Sequence, residues 1–272
     1  MEAYRLTYHI FIFYKLFSSR TAFRLFEDMK KDFISKNSLG EVLEDIRRGK
    51  VVLVYDFDNR EKETDMTIAS EFVTADVLRA MRNDAGGLIC TTTPGETARE
   101  LGLPFLSDVF WNNRDAYPLL GLMVPNDIPY DNTKSSFGIT INHRKTFTGI
   151  TDGDRAFTIR EYVNTIFKDA PAEERIKELG KNFRAPGHVH LLNTTPKLLK
   201  TRHGHTELCT ALMYMAGVKP SATICEMMGD GGLSSSKEKV IEYSKKNNLH
   251  FVTGEQVMKA WEEFLKETGA DV

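Results

Sequence analysis

An acidic stretch holds the residues best suited to chemistry. Residues 56–65, Asp-Phe-Asp-Asn-Arg-Glu-Lys-Glu-Thr-Asp, contain five acids and one arginine directly after the apolar run 51–55. In an extended chain, side chains two positions apart share a face, so Glu61, Glu63 and Asp65 would converge. Carboxylates gathered in this way repel one another unless a cation or a polyhydroxyl ligand binds them. A solvated surface loop explains the same charges, so the stretch alone leaves both interpretations open.

A second candidate site precedes a helical pattern in the last third of the chain. Residues 202–206, Arg-His-Gly-His-Thr, come directly before apolar positions spaced as in a helix over residues 208–215. The free N–H groups of a helix N-terminus, together with Arg202, suit the oxygen atoms of a phosphate group. Thr206 also fits an ordinary helix N-cap, an alternative that requires neither Arg202 nor Gly204.

Three further side chains have the chemistry of an active site. His205 with the acids of residues 61–65 forms a donor set that favours magnesium or manganese over zinc. His188 follows a Pro-Gly turn and suits acid or base catalysis near neutral pH. Glu226 interrupts an apolar strand pattern, where an unpaired carboxylate is costly. An edge-strand position facing solvent is the alternative for Glu226.

Alternating helices and strands must position these residues. Their order indicates an α/β or mixed α+β protein with helices packed on a sheet. Thr158 is predicted to cap a helix over residues 159–167, and either Ser234 or Ser235 to cap the helix 237–247. Residues 104–135, rich in turn signals, are predicted to be an irregular connection lying over or beside a site.

The composition limits the class of protein. The chain has 272 residues, 41% of them apolar and 27% charged, which is typical of a soluble globular protein. A net charge of −2 gives no basic surface for nucleic acid, and no run reaches the roughly 18 apolar residues that a membrane helix needs. Three scattered cysteines predict a reducing, cytoplasmic compartment. We therefore expect neither a nucleic-acid partner nor a membrane.

Six segments in one collinear order resemble the 3,4-dihydroxy-2-butanone 4-phosphate synthase family of riboflavin biosynthesis, in its stand-alone archaeal form. The resemblance covers about residues 38–268 and is carried by the runs 56–65, 86–90, 148–155, 186–188, 202–207 and 224–227. It implies a single-domain, three-layer α-β-α sandwich with a catalytic domain at 38–272. Residues 1–37 are predicted to be an N-terminal extension that is disordered or an artefact of start-site choice. Translation from Met29, just before two lysines, would make the first 28 residues the artefact, and a dispensable tail is the alternative.

The resemblance also implies an activity. The family converts D-ribulose 5-phosphate into L-3,4-dihydroxybutan-2-one 4-phosphate and formate, with magnesium or manganese and two ions per site, as a homodimer. By motif, Glu61 and His205 would be metal ligands, with Glu63 near a second ion, and His188 and Glu226 would be catalytic. Cys90 and Thr148 lie on motifs that approach the substrate. Substrate contacts would come from Arg60, Glu61, Asp65, Arg202, His203, Gly204, His205, Thr206 and Glu226.

One residue departs from the family pattern. Lys62 stands between the two glutamates, where the family usually has glycine. A lysine excludes backbone conformations that only glycine tolerates, and its charge would compete with a cation for Glu61 and Glu63. Two rival functions remain open. One is a sugar-phosphate isomerase or aldolase with the same enediolate chemistry, and the other is a non-catalytic sugar-phosphate binder, for which Lys62 is the only sign.

Overall fold

The computed structural model describes residues 33–125 and 127–270, which form helices around one mixed sheet. Its strands are β1 (Val52–Tyr55), β2 (Thr64–Ala69), β3 (Cys90–Thr93), β4 (Phe137–His143), β5 (Phe183–Asn193), β6 (Ala222–Glu226) and β7 (Phe251–Thr253). They lie in the order β4-β5-β3-β6-β2-β1-β7. The pairs β1–β7 and β3–β5 are parallel, and the other neighbouring strands are antiparallel.

Helices cover both faces of the sheet. They are α1 (Gly40–Arg47), α2 (Ala75–Ala80), α3 (Gly95–Glu100), α4 (Leu106–Asn112), α5 (Pro118–Met123), α6 (Asp152–Ile166), α7 (Ala172–Asn182), α8 (His205–Ala216), α9 (Lys237–Asn247) and α10 (Gly254–Thr268). Val52 and Val54 of β1 join the core cluster built on α1, α8 and α10, whereas Leu53 joins the cluster built on α2 and α6. This alternation, expected of a strand buried on both faces, confirms the α-β-α sandwich.

Helix α8 is the most enclosed of these helices and carries one end of the site. Eleven of its twelve residues are buried, because α1 and α10 pack on one side of it and the sheet on the other. It ends at Gly217, whose φ of 70° is the left-handed conformation that terminates many helices. Burial along its whole length fixes the position of its first turn relative to the ends of β2 and β6.

Three predictions of local structure are wrong. Helix α6 begins at Asp152, with Thr151 as the N-cap, because the Thr151 hydroxyl accepts a hydrogen bond from the Asp154 N–H. Thr158 is buried inside this helix, where its hydroxyl accepts the His143 N–H of β4. The cap of α9 is Ser236. The connection 104–135 is less irregular than predicted, since it contains α4 and α5.

The first described residues precede the predicted domain boundary at residue 38 but belong to the core. Phe33 and Ile34 are buried in the core, and the Phe33 ring packs edge-on against Phe264 at 5.3 Å. The boundary at residue 38 stays a prediction, and the predicted start at Met29 lies outside the described residues. Among the helices of the described part, none combines the length and the apolar character of a membrane span.

Candidate active site

The acidic loop is a tight turn built around Asp56. This carboxylate is fully buried at the end of β1 and accepts hydrogen bonds from the Glu61 N–H at 2.9 Å and the Glu63 N–H at 3.1 Å. It also binds Arg60 Nη1 at 3.2 Å. The acids therefore approach one another through a turn that Asp56 holds. The alternation of an extended chain begins only at Thr64, where β2 starts.

Lys62 lies in this turn with a backbone φ of 60°. That value is left-handed, a conformation that glycine adopts freely and that a residue with a Cβ adopts at a cost. The side chain is exposed. The substitution of lysine for the family's usual glycine is therefore accommodated with the backbone held in the glycine-type conformation.

His205, the first residue of α8, joins the helix to the acidic loop. Its Nδ1 lies 3.1 Å from Oε2 of Glu61, and its Nε2 lies 3.1 Å from the Glu63 carbonyl oxygen and 3.8 Å from Oδ1 of Asp65. Burial by itself would lower the pKa of His205, but the charges of Asp65 and Glu61 outweigh it and raise the pKa. Burial raises the pKa of Asp65. The nearby carboxylates of Glu226, Glu61 and Glu63 also raise the pKa of Asp65, so several acids crowd around His205.

These side chains fit a hard divalent cation. Donor atoms of Asp56, Glu61 and His205 all lie within 4.8 Å of one another. The oxygen atoms of Asp56 already accept backbone hydrogen bonds, so Asp56 supports the loop more than it offers a ligand atom. Oδ1 of Asp65 is buried and has no hydrogen-bond partner among the described residues. Oxygen donors with one imidazole are the set that magnesium and manganese accept.

Two arginines converge beside the acids on one carboxylate oxygen. Oδ2 of Asp131 accepts from Arg60 Nη2 at 2.9 Å and from Arg202 Nε at 2.8 Å. Burial would raise the pKa of Asp131, but hydrogen bonds from Thr133 and Arg60 and the charge of Arg202 lower it to about 2. Nη1 of Arg202 also lies 2.7 Å from Oε2 of the fully buried Glu207. The paired guanidinium groups form an anion-binding point that Asp131 fills in this structure.

The first turn of α8 differs from the predicted cap. The N-cap is Gly204, the helix begins at His205, and Thr206 is its buried second residue, so the N-cap alternative for Thr206 is wrong. A Cβ on Gly204 would lie 2.2 Å from Arg202 Nη1, so glycine makes room for the guanidinium group. The Nε2 atom of His203 lies 3.0 Å from the Leu199 carbonyl oxygen, so this ring contacts the segment that precedes the helix.

Glu226 is the last residue of β6, the central strand of the sheet, so the edge-strand alternative is wrong. It pairs with Asp65 of β2, which brings a second carboxylate to the same sheet end. Its Oε2 accepts the Leu88 N–H at 2.8 Å. A Cβ on Gly87 would lie 2.4 Å from that oxygen, so the glycine turn lets the backbone approach the Glu226 carboxylate.

His188 lines a cavity of about 200 Å³. The turn 86–89, whose Leu88 binds Glu226, forms another wall of the cavity. The Thr148 carbonyl oxygen accepts a hydrogen bond from the Asn142 amide, which also contacts the His188 ring. Cys90 is 2% exposed in the core, and burial raises its pKa.

Sequence reasoning missed Asp131, Glu207 and Asn142 as parts of the site. Asp131 falls in the connection 104–135, where no periodicity or motif singles it out. Glu207 closes the segment 202–207 and is a charged residue in an otherwise buried helix, a signal that it has a charged partner. Asn142 follows alternating apolar residues of β4 and carries no local signal.

Fold and site together define an α-β-α protein with a carboxylate–histidine cluster, a candidate cation site, beside an arginine pair. A profile of the 3,4-dihydroxy-2-butanone 4-phosphate synthase family matches residues 40–260. The chain belongs to this family. It is 47% identical over 225 residues to the synthase of Methanothermobacter thermautotrophicus, covering 82% of this chain and 96% of that protein. It is 41% identical over 226 residues to the synthase of Archaeoglobus fulgidus, covering 82% of this chain and 94% of that protein.

Solved structures of the family have the same fold. The synthase of Candida albicans superposes with a TM-score of 0.61 and 27% identity, over 81% of this chain and 95% of that one. A synthase solved in complex with two magnesium ions gives a TM-score of 0.64 and 24% identity, over 87% of this chain and all of that one.

Proposed function

We propose that this chain converts D-ribulose 5-phosphate into L-3,4-dihydroxybutan-2-one 4-phosphate and formate, the reaction of its family. The observation that carries the proposal is the contact of Glu61 with His205 beside the arginines 60 and 202 that converge on Asp131. A sugar phosphate offers vicinal oxygen atoms to the cation site and a phosphate or hydroxyl group to the arginines. Membership of the family supports the same substrate and the place in riboflavin biosynthesis.

Magnesium or manganese is the proposed cofactor, with two ions per site. Glu61 and His205 would hold one ion, and Glu63 would lie near the second. The buried Oδ1 of Asp65, which lacks a hydrogen-bond partner among the described residues, and the carboxylates around it support a cation at this place. The two magnesium ions of the solved relative support the number. When bound, such an ion supplies the Lewis acidity that stabilises the enediolate of a ketose.

Glu226 and His188 are the proposed proton-transfer residues. Enolisation next to a ketone, loss of a hydroxyl group and release of formate each require a proton to move. Glu226 suits this role because its second oxygen remains available while Oε2 is held by the Leu88 N–H. His188 suits it because its ring borders a cavity that shares the turn 86–89 with Glu226.

Substrate binding is assigned to the residues around the first turn of α8 and the acidic loop. Arg60 and Arg202 would bind an anionic or hydroxyl group in place of Asp131, and the N-terminal N–H groups of α8 would add donors. Asp65 and Glu226 would accept from sugar hydroxyl groups. The remaining proposed contacts, supported by position in the motif 202–207, are His203, Gly204, His205, Thr206 and Glu61.

We propose that the protein functions in the cytoplasm as a homodimer. Large apolar side chains stand exposed in α5 and in the loop before α6, with Leu122 at 80% and Phe147 at 93% of full exposure. A second copy of the chain covering them would remove this surface from water. The three cysteines at positions 90, 209 and 225 are free and buried, which supports a reducing compartment.

Formate release tests the proposed reaction. Purified protein is incubated with ribulose 5-phosphate and magnesium, and formate is measured with and without a chelator. We expect formate that depends on the metal and that falls to background in the Glu61→Gln variant, while the exposed Glu41→Gln variant retains it.

Two other outcomes would replace the proposal. Formation of an isomerised pentose phosphate without formate indicates the isomerase or aldolase rival. Binding of ribulose 5-phosphate without any product, under magnesium or manganese, indicates the non-catalytic binder.

A further inference from the structure

Strand β5 bulges at His188, and side chains of β4 fill the gap. The β4–β5 register jumps from Ile141 opposite Val189 to Asn142 opposite Arg184, so residues 185–188 have no partners in the ladder. Outside the ladder, two backbone N–H groups of the bulge need other hydrogen-bond acceptors. The Gly187 N–H donates to Oγ1 of Thr140 at 3.0 Å, and the His188 N–H donates to Oδ1 of Asn142 at 2.8 Å.

The orientation of the Asn142 amide is fixed by two independent contacts. Its oxygen must face the His188 N–H, which only donates, and its nitrogen must face the Thr148 carbonyl oxygen at 3.3 Å, which only accepts. The amide nitrogen then lies 3.0 Å from Nδ1 of the His188 ring. An amide NH₂ group has no lone pair to accept with, so Nδ1 must be the acceptor of this hydrogen bond.

Two glycines make room for this arrangement. A Cβ on Gly149 would lie 2.1 Å from the Asn142 amide nitrogen, and the φ of Gly149 is 89°. A Cβ on Gly187 would lie 2.0 Å from the Ile141 carbonyl carbon. Asn142 is 3% exposed. Its amide is therefore enclosed between the bulge and the loop 148–149.

We infer that Asn142 is the positioning residue of His188 and selects the tautomer of its ring, with the proton on Nε2. Nδ1 is occupied by the amide, so Nε2–H is the ring group left to act at the cavity. This inference deepens the proposed function and rests on it for the catalytic consequence. Of the two proposed proton-transfer residues, His188 then faces a substrate oxygen as the donor through its Nε2–H, and proton abstraction falls to Glu226.

The tautomer of His188 can be read directly by NMR. The protein is labelled with ¹⁵N-histidine and long-range ¹H–¹⁵N spectra are recorded at mildly alkaline pH, where an ordinary histidine is neutral. The His188 signals among the seven histidines are assigned by their loss in His188→Gln. We expect an unprotonated Nδ1 and a protonated Nε2 in the wild-type protein. A proton on Nδ1, or a rapid mixture of both tautomers, in the wild-type protein overturns the inference.

Asn142→Asp tests the cause of the tautomer. A carboxylate still accepts the His188 N–H but can only accept from the ring, so the proton should move to Nδ1. Asn164→Asp, on the exposed part of α6 beside Lys219, adds the same charge elsewhere and should leave the His188 signals unchanged. A His188 tautomer that stays the same in a folded Asn142→Asp protein overturns the inference.

The kinetic readout separates this inference from the proposed function. In Asn142→Asp we expect kcat for formate release to fall by about tenfold or more with little change in KM, because the ring orientation acts on chemistry and not on binding. If the wild-type protein releases no formate but the tautomer shifts as expected, the proposed function fails and the positioning role stands. If formate release is unchanged although the tautomer shifts, the donor role of His188 is wrong.

Discussion

Oε2 of Glu61 lies 3.1 Å from Nδ1 of His205, although 144 positions separate the two residues in the chain. Glu61 belongs to the turn that Asp56 holds, and His205 begins a helix that is buried over nearly its whole length. The contact therefore joins a loop at the end of β1 to the most enclosed helix of the described structure. A cation held by both side chains would fix the loop against α8.

Replacing Glu61 by glutamine should weaken divalent cation binding. The amide keeps the size and one oxygen but removes the negative charge that faces His205 and the cation. We expect the affinity for Mn²⁺ to fall by at least about tenfold, since even residues that only support a ligand change metal affinity by that amount. Electron paramagnetic resonance of free Mn²⁺ during a titration measures the effect.

The exposed residue Glu41 on α1 provides the control for this measurement. Glu41→Gln removes the same charge away from the pocket and should bind Mn²⁺ as the wild-type protein does. Equal affinities for the Glu61→Gln and wild-type proteins would remove Glu61 from the set of ligands.

Asp131 should compete with anions for the two arginines. Its Oδ2 occupies the point where Arg60 and Arg202 converge, so an incoming phosphate or hydroxyl group must displace it. An asparagine side chain at this position would carry no charge, and removing one like charge at contact distance is worth about 1 kcal/mol in water. We therefore expect Asp131→Asn to bind inorganic phosphate about fivefold more tightly by calorimetry.

The same connection supplies a matched variant. Asp108→Asn removes a charge from the exposed pair with Lys134 and should leave phosphate affinity unchanged. Weaker phosphate binding in Asp131→Asn would mean that Asp131 holds the arginines in place for the ligand and does not compete with it.

Local patterns in the sequence predicted the elements whose signals are local. The apolar run of β1 and the periodic face of α8 needed only neighbouring residues, so both were found close to their observed bounds. Thr158 is not the cap that its position in the sequence predicts, because its hydroxyl accepts a hydrogen bond from β4, which comes near only in the folded chain.

The same reason limits prediction of the site. Glu61 and His205 were expected to share a metal because their residue types and motifs point to one, and the structure brings their side chains together. Asp131 reaches the site through a long connection, so its pairing with two arginines depends on tertiary packing and has no sequence pattern. The Asn142 contact depends on a bulge in β5, which a strand pattern does not reveal.

The backbone at Lys62 should be relieved by glycine. A left-handed φ costs a residue with a Cβ about 1–2 kcal/mol, and glycine adopts it without that cost. Allowing for the greater freedom of glycine in the unfolded chain, we expect Lys62→Gly to raise the free energy of unfolding by about 1 kcal/mol. Urea denaturation of the metal-free protein measures the change.

Lys62→Ala separates the backbone from the charge. Alanine removes the ammonium group but keeps the Cβ, so it should give no gain in stability if the φ of 60° is the cause. An equal gain in both variants would assign the effect to the lysine charge near the acidic loop.

Glu226→Gln should fold and bind substrate but release no formate. The glutamine oxygen can still accept the Leu88 N–H, so the turn 86–89 and the pairing of β6 with β2 are retained. What is lost is a carboxylate able to take up a proton, a function worth about 10²-fold or more in rate. We expect unchanged urea denaturation, ribulose 5-phosphate affinity within a few fold of the wild-type value by calorimetry, and formate release at background. Near-normal turnover in this variant would exclude Glu226 from proton transfer. Because Asn142 holds His188 as a donor, the general base would then be Asp65, whose buried carboxylate pairs with Glu226 across the strands.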